Sequence, residues 1–133
     1  MNRLFLDANV LFSAAHKADA RVFHLWRLDD VVLFSSRYAL EEARFTLSDA
    51  NQLRRLTELA SHVQWVEAGN RALPRGISLP EKDAPILLAA IHANASYLLT
   101  GDIRHFGPYF GKKIEGVTVL QPGEYLKRRA KRE

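Results

Sequence analysis

Five short apolar runs punctuate the chain: Arg3–Leu6, Val31–Ser35, Val63–Val66, Ala95–Thr100 and Val117–Leu120. The second, fourth and fifth are nearly continuous in hydrophobic residues instead of alternating with polar ones. A strand with one face in water alternates; a strand buried on both faces need not. The runs therefore point to a parallel sheet covered on both sides. Helical patterns fill the gaps, at Asn9–Ala15, Arg21–Leu28 behind a candidate N-cap at Asp19, Arg37–Leu47, Asn51–Ser61 and the strongly apolar Ala84–Ala93. Gly69–Pro80, with two prolines and two glycines, reads as a loop. Strands alternating with helices imply an α/β fold with right-handed crossovers. The expected architecture is a three-layer α/β/α sandwich around a central parallel sheet of about five strands. Residues 1–126 form one domain and residues 127–133 a basic tail.

Composition narrows the function classes. At 133 residues, 47% hydrophobic and 26% charged, the chain suits a single globular domain. No stretch reaches the roughly 18–20 apolar residues of a membrane-spanning helix. The N-terminal apolar run is too short for a signal peptide, so a cytoplasmic location and no membrane partner are expected. With no cysteine, disulfides, thiolate-bound zinc, iron–sulfur clusters and thiol catalysis are excluded. The net charge of +4 resides in the tail Lys127–Glu133, which carries five Lys/Arg and one Glu. Such a tail either attracts phosphate backbones or is a solvated, frayed terminus.

In an open parallel sheet, ligands bind beyond the carboxyl ends of the strands. Asp7 follows the first strand, and Thr100-Gly101-Asp102 follows the fourth. Ser35 and Ser36 follow the second, ahead of a helix carrying Glu41 and Glu42; Asp83 opens the buried helix that leads into the fourth. Singly, each acid has an ordinary structural use. Asp7 can end a strand, Asp83 can cap a helix with Pro85 in its first turn, and Asp102 can form an Asx-turn. Together they are harder to explain structurally. Carboxylates a few Å apart repel by about 4 kcal/mol per close pair at an effective dielectric near 20. Such a group raises its pKa values or binds a cation. Oxygen donors suit Mg²⁺ or Mn²⁺, and an acidic pocket holding such ions activates water against a phosphodiester. On the helix after the second strand, Glu42 lies ~60° beyond Ala39 at the edge of the apolar face, whereas Glu41 points to the outer side. Glu42 is the preferred fourth acid.

Four blocks now stand in order: Phe5-Leu6-Asp7-Ala8-Asn9-Val10-Leu11; Ser36 with Ala39-Leu40-Glu41-Glu42; Lys82-Asp83-Ala84-Pro85-Ile86-Leu87; and Tyr97-Leu98-Leu99-Thr100-Gly101-Asp102. They resemble the PIN domain over about residues 2–126, in particular the VapC-like toxin ribonucleases or a close bacterial or archaeal relative. The resemblance implies a metal-dependent nuclease for single-stranded RNA. Asp7, Glu42, Asp83 and Asp102 would be its catalytic, Mg²⁺- or Mn²⁺-binding acids, and Asn9 and Thr100 their polar helpers. A toxin-type member would also have a small antitoxin that covers the cleft, and would form a homodimer. The sequel Ile103-Arg104-His105-Phe106 lacks the further acid that some members carry there.

Arg37, Arg44, Lys82, Arg104 and His105 flank the acidic blocks and are candidates for RNA phosphate contacts, although each also reads as a surface charge or cap. The five histidines show no zinc-protease spacing. Trp26 and Trp65 sit in apolar patterns and read as core residues. An aspartyl-nucleophile phosphatase would need an acid two residues after Asp7, where Asn9 stands. A catalytically silent PIN-like module that binds RNA or protein is the remaining alternative.

Overall fold

Consecutive residues of a strand face opposite sides of a sheet, yet Leu4, Phe5 and Leu6 are all fully buried in the first strand, β1 (Asn2–Leu6). Both faces of β1 are therefore covered. In the computed structural model, which describes residues 1–132, β1 is followed by α1 (Ala8–His16), β2 (Val31–Ser35), α2 (Arg37–Thr46) and α3 (Ala50–Ala60). The chain continues through β3 (Gln64–Trp65), α4 (Ala84–His92), β4 (Tyr97–Leu99), α5 (Ile103–Phe106), β5 (Lys113–Ile114), β6 (Val117–Leu120) and α6 (Pro122–Arg132). The sheet order is β3-β2-β1-β4-β6-β5. All strand pairs are parallel except β5 with β6. The fold is the expected α/β sandwich.

Several local expectations are corrected. The sheet has six strands, not five; the additional β5 makes a hairpin with β6 through Glu115 (φ 46°) and Gly116 (φ 90°). Positive φ at both central residues is the geometry of a two-residue hairpin turn, normally signalled by Asn-Gly. The span Arg21–Arg27 is a 3-10 helix whose N-cap is Ala20, with no side-chain cap, so Asp19 does not serve there. The strands expected over Val63–Val66 and Ala95–Thr100 contract to two and three residues.

The basic tail is not a loose end as far as Arg132: it continues α6. Tyr125 anchors that helix. It is 2% exposed, its ring meets Tyr97 edge-on at 5.0 Å, and its hydroxyl accepts from Asn2 Nδ2 at 2.8 Å. Arg129 adds an ion pair to Asp30.

Strand order decides where a site can form. From β1 the chain moves outward to β2 and β3, then crosses back to β4 on the other side of β1. The two windings diverge between β1 and β4, and that divergence opens a crevice at their carboxyl ends.

Candidate metal centre

Asp7 is the first residue beyond β1 and the N-cap of α1. Its Oδ1 accepts from the Ala8 N–H at 2.6 Å. Its Oδ2 accepts from the Thr100 hydroxyl at 2.7 Å and from Asn9 Nδ2 at 3.2 Å. The Thr100 oxygen also accepts from Asn9 Nδ2 at 3.2 Å and from the Asp102 N–H at 3.1 Å. Asn9 Oδ1 in turn accepts from the Gly101 N–H at 2.7 Å. A Cβ at position 101 would lie 3.3 Å from that oxygen, which glycine avoids. Asn9 and Thr100 thus lock the end of β1 to the turn after β4.

The other acids come from helix starts. Asp102 caps α5, with Oδ1 accepting from the His105 N–H at 3.1 Å. Asp83 stands at the N-cap of α4 but makes no side-chain cap bond, and Pro85 occupies the first turn. The structural use of Asp83 as a helix cap is therefore not realised, and its carboxylate faces the crevice instead. Glu42, on α2, lines the same cleft of about 340 Å³ with Asp7, Asn9, Lys82, Asp83 and Asp102. Glu41 points away and pairs with Arg44 at 3.1 Å.

Burial and mutual repulsion both act on these groups. Asp7 is 5% exposed. Desolvation pushes its pKa from 3.8 up to about 6, against the Thr100 and Ala8 hydrogen bonds and with help from Asp83 and Glu42. Asp83 is held above the usual carboxylate range by desolvation and by Asp102, partly offset by His105 and Lys82. Glu42 is raised by desolvation and Asp83. Tyr38 is also raised, by desolvation and then by the surrounding acids.

Sequence reasoning missed the part played by His105. Its Nδ1 lies 2.9 Å from Asp102 Oδ2 and 3.0 Å from Asp83 Oδ2, so it faces the carboxylates. Donor atoms of Asp83, Asp102 and His105 all fall within 4.8 Å of one another. The available signal was the Asp-x-x-His spacing, which places both side chains on one side of a helical turn. Also missed was Tyr38, whose hydroxyl donates to the Lys82 carbonyl at 2.7 Å and so ties α2 to the segment bearing Asp83. Of the remaining basic candidates, Arg37 and Arg104 are exposed and Arg44 is engaged by Glu41. Trp26 and Trp65 are half-buried against the core, and Trp26 Nε1 donates to the Leu59 carbonyl at 3.1 Å.

The donor set fits a hard divalent cation. It is oxygen-rich, with one imidazole and no thiolate. Among the described residues, Asp83 Oδ2 is buried without a well-formed hydrogen bond. A cation would give Asp83 Oδ2 a partner besides the His105 ring 3.0 Å away, and would offset the desolvation and mutual repulsion that raise Asp7, Glu42 and Asp83.

Comparison with known proteins gives the same frame. No curated protein sequence matches the chain significantly. Solved structures share its fold at low identity. The crystal structure of VapBC2 from Rickettsia felis, bound to a DNA fragment from their promoter, has a TM-score of 0.67 at 18% identity, covering 90% of this chain and 98% of that one. FitAcB from Neisseria gonorrhoeae has a TM-score of 0.53 at 20% identity, with 90% and 98% covered. FitAB bound to the IR36 DNA fragment has a TM-score of 0.53 at 18% identity, with 90% and 94% covered. The PIN domain family model matches residues 3–104, a span that runs from β1 through Asp102 and takes in all four acids, and on that match the chain belongs to the PIN domain family.

Proposed function

We propose that the chain is a Mg²⁺- or Mn²⁺-dependent endoribonuclease acting on single-stranded RNA, and the toxin of a toxin–antitoxin pair. The observation that carries this reading is the gathering of Asp7, Glu42, Asp83 and Asp102 around one cleft. Asp7, Asp83, Asp102 and Glu42 would hold the ion. Bound there, a divalent cation supplies Lewis-acid polarisation of a phosphodiester and lowers the pKa of water.

The chain's own residues do the rest. Thr100 and Asn9 fix the direction of the Asp7 oxygens. The His105 ring stands between Asp102 and Asp83, with Nδ1 2.9 Å from one carboxylate and 3.0 Å from the other, and so holds those two side chains in register. Lys82, at the cleft edge, offers a cation to a phosphate oxygen. The toxin reading is supported by the VapBC2 and FitAB complexes that share the fold. It implies a small antitoxin partner that covers the acidic cleft.

The test is cleavage of an end-labelled single-stranded RNA in Mn²⁺ by the full chain and by Asp83→Asn. Metal-dependent cutting that the substitution abolishes supports the reading. RNA that is bound but left intact in every divalent metal would establish a silent binding module instead.

A further inference from the structure

A second concavity adjoins the acidic cleft. It has a volume of about 520 Å³ and shares Glu42 and Thr46 with the cleft. Its floor is α2. Tyr38 and Phe45 are seven residues apart on that helix, only ~20° apart around its axis and ~10 Å apart along it. The Tyr38 ring is tethered through its hydroxyl to Lys82. Phe45 is 92% exposed. It lies one turn from Glu42, which puts their Cβ atoms roughly 5–6 Å apart.

The Phe45 ring stands beside the charged cleft, where a molecule held in the cleft can meet it. The surroundings decide which. Arg37, Glu41, Glu42 and Thr46 hem in the two rings. Tyr38 and Phe45 are the only large exposed hydrophobic residues on α2. Two rings are too narrow to centre a protein interface, so an antitoxin covering the cleft would need its apolar anchor elsewhere. One flat, uncharged aromatic surface beside a phosphate-directed site matches a nucleobase, since every base has a π-face to stack.

We propose that the Phe45 ring is a stacking platform for one base of the single-stranded substrate, the base adjoining the phosphate held at the acidic cleft. The proposal rests on the nuclease reading for the identity of that phosphate. Phe45 is then a positioning residue: it fixes the register of the strand and touches no reacting atom.

The experiment measures the affinity of the full chain for a fluorescein-labelled single-stranded RNA by anisotropy in Ca²⁺, and separately kcat and KM for cleavage in Mn²⁺. Phe45→Ala should weaken binding about 5-fold to 150-fold and raise KM with kcat nearly held. Phe45→Trp should restore both. An RNA with one abasic position, moved along the strand, should reveal a single site whose loss harms the natural chain but does no further harm to Phe45→Ala. At 92% exposure these changes leave the fold intact, and a melting curve checks that.

Affinity of Phe45→Ala within about twofold of the natural chain overturns the proposal, as does an abasic penalty that persists in the variant. Unchanged RNA affinity with altered self-association would assign the ring to a protein contact and also overturns it. Cleavage with unchanged KM in Phe45→Ala sinks the stacking platform alone. Binding that depends on Phe45 without any cleavage sinks the nuclease reading alone.

Discussion

Asp7→Asn should make the protein more stable at neutral pH while abolishing cleavage. In EDTA, the natural Asp7 carboxylate is ionised and buried among other acids. Its folded pKa of about 6 stands above the ordinary 3.8. Between those values the folded state binds the extra proton, so stability falls as pH rises, and above pH 6 the whole penalty is present. At about 1.4 kcal/mol per pKa unit the penalty is ~3 kcal/mol. Asparagine cannot ionise. Its carbonyl keeps the Ala8 N–H, but its amide meets Asn9 Nδ2 and turns the Thr100 hydroxyl, disturbing two hydrogen bonds worth about 1 kcal/mol each. The net is a gain of ~1 kcal/mol above pH 6, or roughly 4 °C in Tm, and a loss of ~2 kcal/mol below pH 4. Glu42 and Asp83, relieved of a neighbouring charge, push in the same direction. Urea unfolding across pH in EDTA reads the crossover. Added Mn²⁺ should then stabilise the natural chain, by ~2.7 kcal/mol at a hundredfold excess over Kd, and not the variant. Destabilisation of the variant by the same amount at every pH would refute the reasoning, because it would mean that Asp7 carries no burial penalty.

Two further outcomes concern the frame around the site. Tyr125→Ala should cost about 3–5 kcal/mol in chemical unfolding, since it empties the socket that seats α6 against β1 and β4, whereas Tyr125→Phe should cost only ~1 kcal/mol for the Asn2 bond. Glu115→Asn should raise stability by up to ~1 kcal/mol at high salt, because position 115 has φ 46° and the exposed ion pair with Arg71 that it gives up is screened there.

Legibility in the sequence followed the physics of burial. β1, β2 and β6 are long enough to show apolar continuity, and each could be read with its end within a residue or two. β5 could not: two residues carry no period, and Glu115-Gly116 lacks the Asn-Gly turn signal. The 3-10 span Arg21–Arg27 has a helix-like composition, and only packing selects the tighter winding. At the site, Asp7 and Asp102 were legible because strand ends are visible in the sequence. Glu42 was legible only through helix phase, and the structure turns it, not Glu41, toward the cleft. His105 was legible as a neighbour of the acids, through its spacing from Asp102, but its contact with Asp83 was not, because that contact joins segments that meet only after the crossover from β3 to β4 is made.

That contrast bears on Glu42 itself. Asp7 and Asp102 are held by adjacent strands and by the Asn9–Thr100–Gly101 network, so their spacing is fixed by backbone pairing. Glu42 has no such support; it rides on α2, and the Tyr38 hydroxyl on the Lys82 carbonyl ties that helix to the Asp83 segment. Tyr38→Phe removes one exposed hydrogen bond, worth about 1 kcal/mol at most, and keeps the ring. If the bond serves the donor set, its loss appears in ion binding: the Mn²⁺ midpoint for thermal stabilisation should rise about fivefold, with Tm in EDTA lowered only slightly. If the bond merely braces the surface, Tm falls and the Mn²⁺ midpoint stays where it was. The second result would show that Glu42 reaches the cleft by its helix position alone.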